Sequence, residues 1–146
     1  MKVIVQKVLS ASCTVDNKIT GKIANGYMLL VGFTHSDTIE NVQKMAKKIV
    51  GLRIFEDQDG KMNLDIKSVN GQILSISQFT LYGDCNKGNR PSFVNSMRPE
   101  TALELYLKFN EILRNEYNMT VETGIFGAHM VLDPICDGPV TIELEF

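Results

Sequence analysis

No apolar run in the 146 residues approaches the roughly 20 that a membrane-spanning helix needs, so no segment is expected to cross a bilayer. The amino-terminal stretch MKVIVQKVLSASC is interrupted by Gln6 and Lys7 and reads as a first strand, not as a signal peptide. Cysteine is scarce. Cys13, Cys85 and Cys136 are odd in number and widely spaced, which argues against a disulfide framework or zinc site and for reduced thiols in the cytoplasm. Cys85 and Cys136 have no visible activating partner and are expected to be small buried residues. His35 and His129 are the only histidines, and neither sits in a Cys, His and carboxylate cluster at ligand spacing, so no metal is expected. A Gly-x-Ser-x-Gly elbow, a phosphate-binding loop and a dinucleotide fingerprint are all missing, and no cofactor is expected. An excess of positive charge is missing too. The net charge of −2 gives no global attraction to nucleic acid, so any such contact must be local.

What is present suits one globular domain over residues 1–146, with 44% hydrophobic and 22% charged residues and length enough for a core without staples. Lys2 to Leu9 and Ala11 to Val15 read as two β segments, and Asp16-Asn17-Lys18 as the turn that follows. Asn25-Gly26 is a hairpin signal before Tyr27 to Phe33, a run apolar on both faces and therefore central. Asp37 is placed as the cap of a first helix, with Glu40 three residues on and an apolar stripe at Ile39, Val42, Met45, Ala46, Ile49 and Val50. Lys44, Lys47 and Lys48 fall off that stripe, on a solvated face. Asp57-Gln58-Asp59-Gly60 lacks the remaining ligands of a calcium loop and reads as a hairpin turn. Pro99 opens a second, longer helix with its stripe at Ala102, Leu105, Tyr106, Phe109, Ile112 and Leu113. Thr120 to Gly124 and His129 to Ile135 are extended. Asp137-Gly138-Pro139 breaks the pattern before a final alternating strand, Val140 to Phe146. Many strands and two main helices, without regular βαβ alternation, predict an α+β domain with a mixed, mainly antiparallel sheet curled toward a barrel.

The stretch from Gly71 to Phe93 carries the chemistry. It starts apolar at Ile73, Leu74 and Ile76 and turns polar at Ser77, Gln78 and Thr80, the pattern of a central strand whose carboxyl end emerges into a site. Strand alternation would set Gln78 and Thr80 on one face and Ser77 and Phe79 on the other. These polar groups bond either neighbouring backbone or a substrate. Thr80 is the natural hydroxyl nucleophile, but no adjacent base is visible.

Ser-Gln-Phe-Thr-Leu at 77–81 and Asp-Gly-Pro-Val-Thr at 137–141 resemble the two signature motifs of the D-aminoacyl-tRNA deacylases. Arg53-Ile54-Phe55, Gly60-Lys61-Met62-Asn63, Arg90-Pro91-Ser92-Phe93 and the stretch from Thr123 to Met130 add to the likeness, which spans the chain in order. It departs at Cys136, where the family usually has Asn, and at Lys7, where bacterial members often have Arg. The resemblance implies hydrolysis of the ester between a D-amino acid, or misattached glycine, and the terminal ribose of tRNA. It implies a homodimer in which Gly138-Pro139, joined by a cis peptide, reaches into the partner's active site and rejects L-amino acids. It sets the ester against Ser77, Gln78, Phe79 and Thr80, with backbone N–H groups stabilising the oxyanion. Phe126 and Met130 would line the adenine side, and Lys87 and Arg90 would contact phosphate. Two other readings fit the residues: a small-molecule esterase with Thr80 as covalent nucleophile, and a non-catalytic dimeric module that binds aminoacyl-tRNA.

Overall fold

The computed structural model describes residues 1–146. β1 (Lys2–Val15) is one continuous strand, where two segments were expected. Ser10 does not break it, because β1 is paired on both edges. β8 (Val131–Glu145) runs antiparallel to nearly its whole length, and β2 (Lys18–Ile23) and β3 (Gly26–Gly32) pair with its second and first halves. A strand has two edges, so β2 and β3 share one. Their register is continuous, Val8 opposite Gly26 and Ala11 opposite Ile23. Asn25-Gly26 is thus a bend within one long return strand and not a hairpin. The true hairpin is at Asp16-Asn17, whose φ values of 48° and 62° suit the tight turn between β1 and β2.

After β3, α1 (Ile39–Val50) buries Val42, Met45, Ala46, Ile49 and Val50, whereas Ile39 is exposed. Its cap is Thr38, one residue later than the sequence suggested, and the Asn41 side chain accepts a hydrogen bond from the Thr38 N–H at 3.0 Å. Asp37 is taken up elsewhere: it is buried, accepts from the Thr34 N–H at 2.7 Å, and pairs with the Met1 amino group. β4 (Phe55–Glu56) and β5 (Met62–Leu64) form the small hairpin around Asp57 to Gly60, as expected. The Asn63 side chain and the Lys61 N–H hold the Asp57 carboxyl below the usual carboxylate range.

β6 (Gln72–Ser77) then enters the sheet parallel to β3, and β7 (Val121–Thr123) lies parallel to β6 on its other side. Between them α2 (Pro99–Asn115) packs on α1 and buries Ala102, Tyr106, Phe109, Ile112 and Leu113, with Leu105 half-buried. The helices and the inner faces of β1, β3 and β6 enclose the main core, including Val3, Val5, Leu29, Ile49, Ile73 and Phe109. Each such side chain contributes about 1.5–3 kcal/mol by leaving water. A smaller core of Val8, Cys13, Ile23, Leu74 and Ile76 fills the other face, where β2 also packs against β7. The result is the mixed, curled, barrel-like sheet with two helices that the pattern predicted. No helix is long and apolar enough to cross a membrane.

β8 does not stop at Asp137-Gly138-Pro139. The pairing steps from Gln6 opposite Thr141 to Val8 opposite Cys136, so residues 137–140 bulge out opposite Lys7 alone. The Gly138–Pro139 peptide is cis. Lys7 is buried under this bulge and its ammonium pairs with Asp137 at 2.9 Å. Cys136 is exposed, as is Cys85, contrary to the expectation that both are buried. The alternating face of β8 and a surface loop carry them, and only Cys13 is interior.

Candidate active site

β3, β6 and β7 are parallel, so their carboxyl ends meet at one edge of the sheet, a common place for a ligand crevice. A cleft of about 630 Å³ opens there. Its floor is Val31 to Phe33 at the end of β3 and Ile76 to Phe79 where β6 ends, one wall is Phe93 and Ser96 to Pro99 leading into α2, and the other is Phe126 to Met130 after β7. The walls are largely apolar, and no Asp or Glu is among the lining residues.

The last ladder bond of β6 runs from the Gln78 N–H to the Val31 carbonyl at 2.7 Å. Beyond it the chain is not a strand. Phe79–Tyr82 is a 3₁₀ turn, so the alternation expected for residues 77–80 ends at Gln78. The turn brings Gln78 and Thr80 together: the Gln78 side-chain amide donates to the Thr80 hydroxyl. The N–H groups of Phe79 and Thr80 open the turn, where a helix has no internal acceptors for its first donors. Phe79 packs edge-on against Phe93 with centroids 5.0 Å apart, and its carbonyl accepts from the Ser96 hydroxyl at 3.0 Å, which ties the turn to the α2 wall.

Behind the floor, the buried Tyr106 hydroxyl of α2 donates to the Ser75 carbonyl of β6 at 2.7 Å. Burial pushes the pKa of this phenol up, so it stays a donor. Its ring also lies 5.8 Å from Phe126, and α2 thereby braces both floor and wall. Tyr106→Phe leaves that carbonyl without its partner in a dry site and is expected to cost about 1–2 kcal/mol. Urea unfolding followed by circular dichroism checks it, and a loss below about 0.3 kcal/mol would make the hydrogen bond dispensable.

Residues 4–145 match the family model described as D-Tyr-tRNA(Tyr) deacylase. The chain belongs to this family. Among curated relatives, the D-aminoacyl-tRNA deacylase of Exiguobacterium sp. is 54% identical over 99% of this chain and 98% of its own. That of Geobacillus sp. is 52% identical over 99% and 95%. Among solved structures, the c-Myc DNA unwinding element binding protein superposes with a TM-score of 0.95 at 40% identity, over 100% of this chain and 99% of that one. A probable eukaryotic D-amino acid tRNA deacylase superposes with a TM-score of 0.83 at 18% identity over 98% and 97%, a likeness of fold alone.

In this member of the deacylase family, Ser77, Gln78, Phe79, Phe126 and Met130 converge on the cleft. Thr80 touches it through Gln78 only. Lys87 and Arg90 do not line it: they sit on the exposed loop closed by paired hydrogen bonds between Asp84 and Ser92, both 2.8 Å. Gly138 and Pro139 are exposed and lie outside the cleft of their own subunit. Sequence reasoning passed over Ser96, Arg98 and His129, which line it. For Arg98 a signal existed in Pro99, since the residue just before a helix start lies at an element end, where sites collect.

Proposed function

We propose that the protein hydrolyses the ester joining a D-amino acid to the terminal ribose of tRNA, releasing free D-amino acid and tRNA, and that it clears misattached glycine likewise. The observation that carries this reading is the cleft at the parallel strand ends. Its floor carries Ser77, Gln78 and Phe79, with Gln78 bonded to the Thr80 hydroxyl just behind it, and its walls carry Phe93 and Phe126, apolar faces for a base. The ester carbonyl would lie against the Phe79 and Thr80 N–H groups, which stabilise the oxyanion as it develops. Water attacks the carbonyl carbon, assisted by the neighbouring ribose hydroxyl. The acyl carbon–oxygen bond to the ribose then breaks, and the ribose oxygen takes up a proton. Gln78 holds the aminoacyl group, and Phe126 and Met130 lie on the adenine side.

Mirror-image substrates carry the same groups, so attraction to the side chain cannot separate them, whereas a rigid wall beside the α-carbon can. We assign that wall to Gly138 and Pro139 of a second copy of the chain. Three observations support it. These residues are exposed and stand clear of their own cleft. No residue of β8 is fully buried, although Val131 and Ile135 on it are apolar. Lys7 and Asp137 clamp the bulge from below. Lys7 braces it with a point charge, where the Arg common in bacterial members would offer a planar fork. The enzyme so formed is a cytoplasmic homodimer with sites at the subunit interface.

The Thr80 hydroxyl bears on the rival esterase reading, because its partner is an amide donor and not a base. Thr80→Ala is therefore expected to slow turnover by about 2- to 10-fold, the value of one hydrogen bond. Pre-steady-state kinetics should show no burst in either protein. An acyl adduct on Thr80 in quenched wild-type enzyme, seen by mass spectrometry, would sink the water-attack mechanism. The function itself is tested by deacylation of matched D- and L-aminoacyl-tRNA.

A further inference from the structure

We propose that Arg98 seats the phosphodiester that precedes the terminal adenosine, so that the cleft accepts the acceptor end in one direction only. The proposal rests on the deacylase reading for its substrate and adds an anion subsite to it. Arg98 follows the buried Met97 and precedes Pro99, the first residue of α2, and it lines the cleft beside Ser96. Two of the other arginines are committed within the chain: Arg53 bonds Asn63, and Arg114 donates twice to the Val121 carbonyl. Arg98 is exposed and makes neither an ion pair nor a side-chain hydrogen bond. A guanidinium does not lose its charge. Arg98 is thus the one permanent cation lining the cleft, with no carboxylate opposite.

The substrate has charges to match. Its α-ammonium group is positive, its adenine and terminal ribose are neutral, and its first negative group is the phosphodiester on the 5′ side of the adenosine. Opposite charge draws the phosphate to Arg98, and with the base between the aromatic walls that one contact sets the direction in which the acceptor end lies. A guanidinium also meets a phosphate through two parallel hydrogen bonds, which an ammonium cannot do. Lys87 and Arg90, the cations favoured by sequence reasoning, project from a loop outside the cleft and are the natural rivals for this role.

The test compares wild type, Arg98→Gln, Arg98→Lys and Arg90→Gln on D-tyrosyl-tRNA and on 2′(3′)-O-D-tyrosyladenosine, which has no phosphate. In parallel, the binding of the dinucleotide CpA is compared with that of adenosine. Arg98→Gln is expected to lose about 10-fold in kcat/KM on the tRNA, mostly through KM, the share of a charge-assisted contact that is partly screened. On the nucleoside ester it should stay within about twofold of wild type. Arg98→Lys should recover part of the loss, and CpA should lose its advantage over adenosine in Arg98→Gln alone. The proposal is overturned by an equal loss on both substrates, by no loss on the tRNA, or by a selective loss in Arg90→Gln instead. If wild type hydrolyses neither D-substrate but the CpA advantage disappears in Arg98→Gln, the deacylase reading fails while the phosphate subsite stands.

Discussion

D-Tyrosyl-tRNA is expected to be hydrolysed at least about 100-fold faster than L-tyrosyl-tRNA, and Gly138→Ala to pull that ratio down to about 10 or below. The first figure follows from what a wall can do. Forcing a side chain into rigid backbone costs about 1–3 kcal/mol or more, and 100-fold corresponds to about 2.7 kcal/mol. The second follows from the bulge. Gly138 has a φ of +116°, which L side chains rarely adopt, and a Cβ there would stand 2.7 Å from Val140 Cγ2 and 2.8 Å from the Val140 nitrogen. The Val140 methyl can swing aside by rotation about χ1, but the backbone nitrogen cannot yield without moving the strand, so residues 137–140 must shift. A displacement approaching 1 Å is enough to cost a positioned contact most of its effect. The bulge is exposed, so the melting temperature should fall by only a few degrees and the change should read as lost selectivity, not lost fold. Rates on matched D- and L-tyrosyl-tRNA decide both points. Equal rates in wild type would end the proofreading reading, and an unchanged ratio in Gly138→Ala would remove residues 138–139 from it.

Gly26→Ala is expected to cost about 3–4 kcal/mol, a large share of the roughly 5–15 kcal/mol that holds a domain together. At the bend between β2 and β3, Gly26 has a φ of +152°, and an added Cβ would lie 1.9 Å from the Gln72 carbonyl oxygen and 2.6 Å from its nitrogen. Both obstacles are backbone. The methyl group can be accommodated only by prying β3 from β6 where their parallel pairing begins, at Gly26 opposite Gln72. Those two strands form the floor of the cleft, so activity should fall with stability. For a domain of this size the loss corresponds to a drop of about 10–20 °C in melting temperature. Differential scanning calorimetry measures it, and a drop under about 5 °C would mean that the strands part more easily than this packing allows.

These two glycines also mark where reading along the chain succeeded and where it stopped. Gly138-Pro139 announced itself as a break, yet the break is a bulge inside a strand that continues on either side, because β1 offers a continuous partner from Lys2 to Thr14. Asn25-Gly26 looked like a hairpin because that dipeptide closes hairpins. Here the register runs straight past it, and the left-handed backbone serves a bend that brings β3 against β6. The Cys136 thiol was assigned to the interior on the habits of cysteine, but the face of β8 that carries it has no covering layer within the chain.

The sequence by itself determined what depends on near neighbours. The apolar stripe of α2, the turns at Asp16-Asn17 and Asp57 to Gly60, and the burial of β3 on both faces all follow from side-chain period and turn chemistry within a few residues. Its two signature stretches were enough to indicate the family. Only the tertiary structure decided which distant segments meet. It set β3, β6 and β7 parallel so that three carboxyl ends open on one cleft, coiled residues 79–82 into a turn, placed Arg98 in the cleft, and left Lys87 and Arg90 outside. The physical reason is that pairing partners and strand directions are selected by the burial of the whole core. That is a collective quantity to which residues far apart contribute and which no local pattern contains.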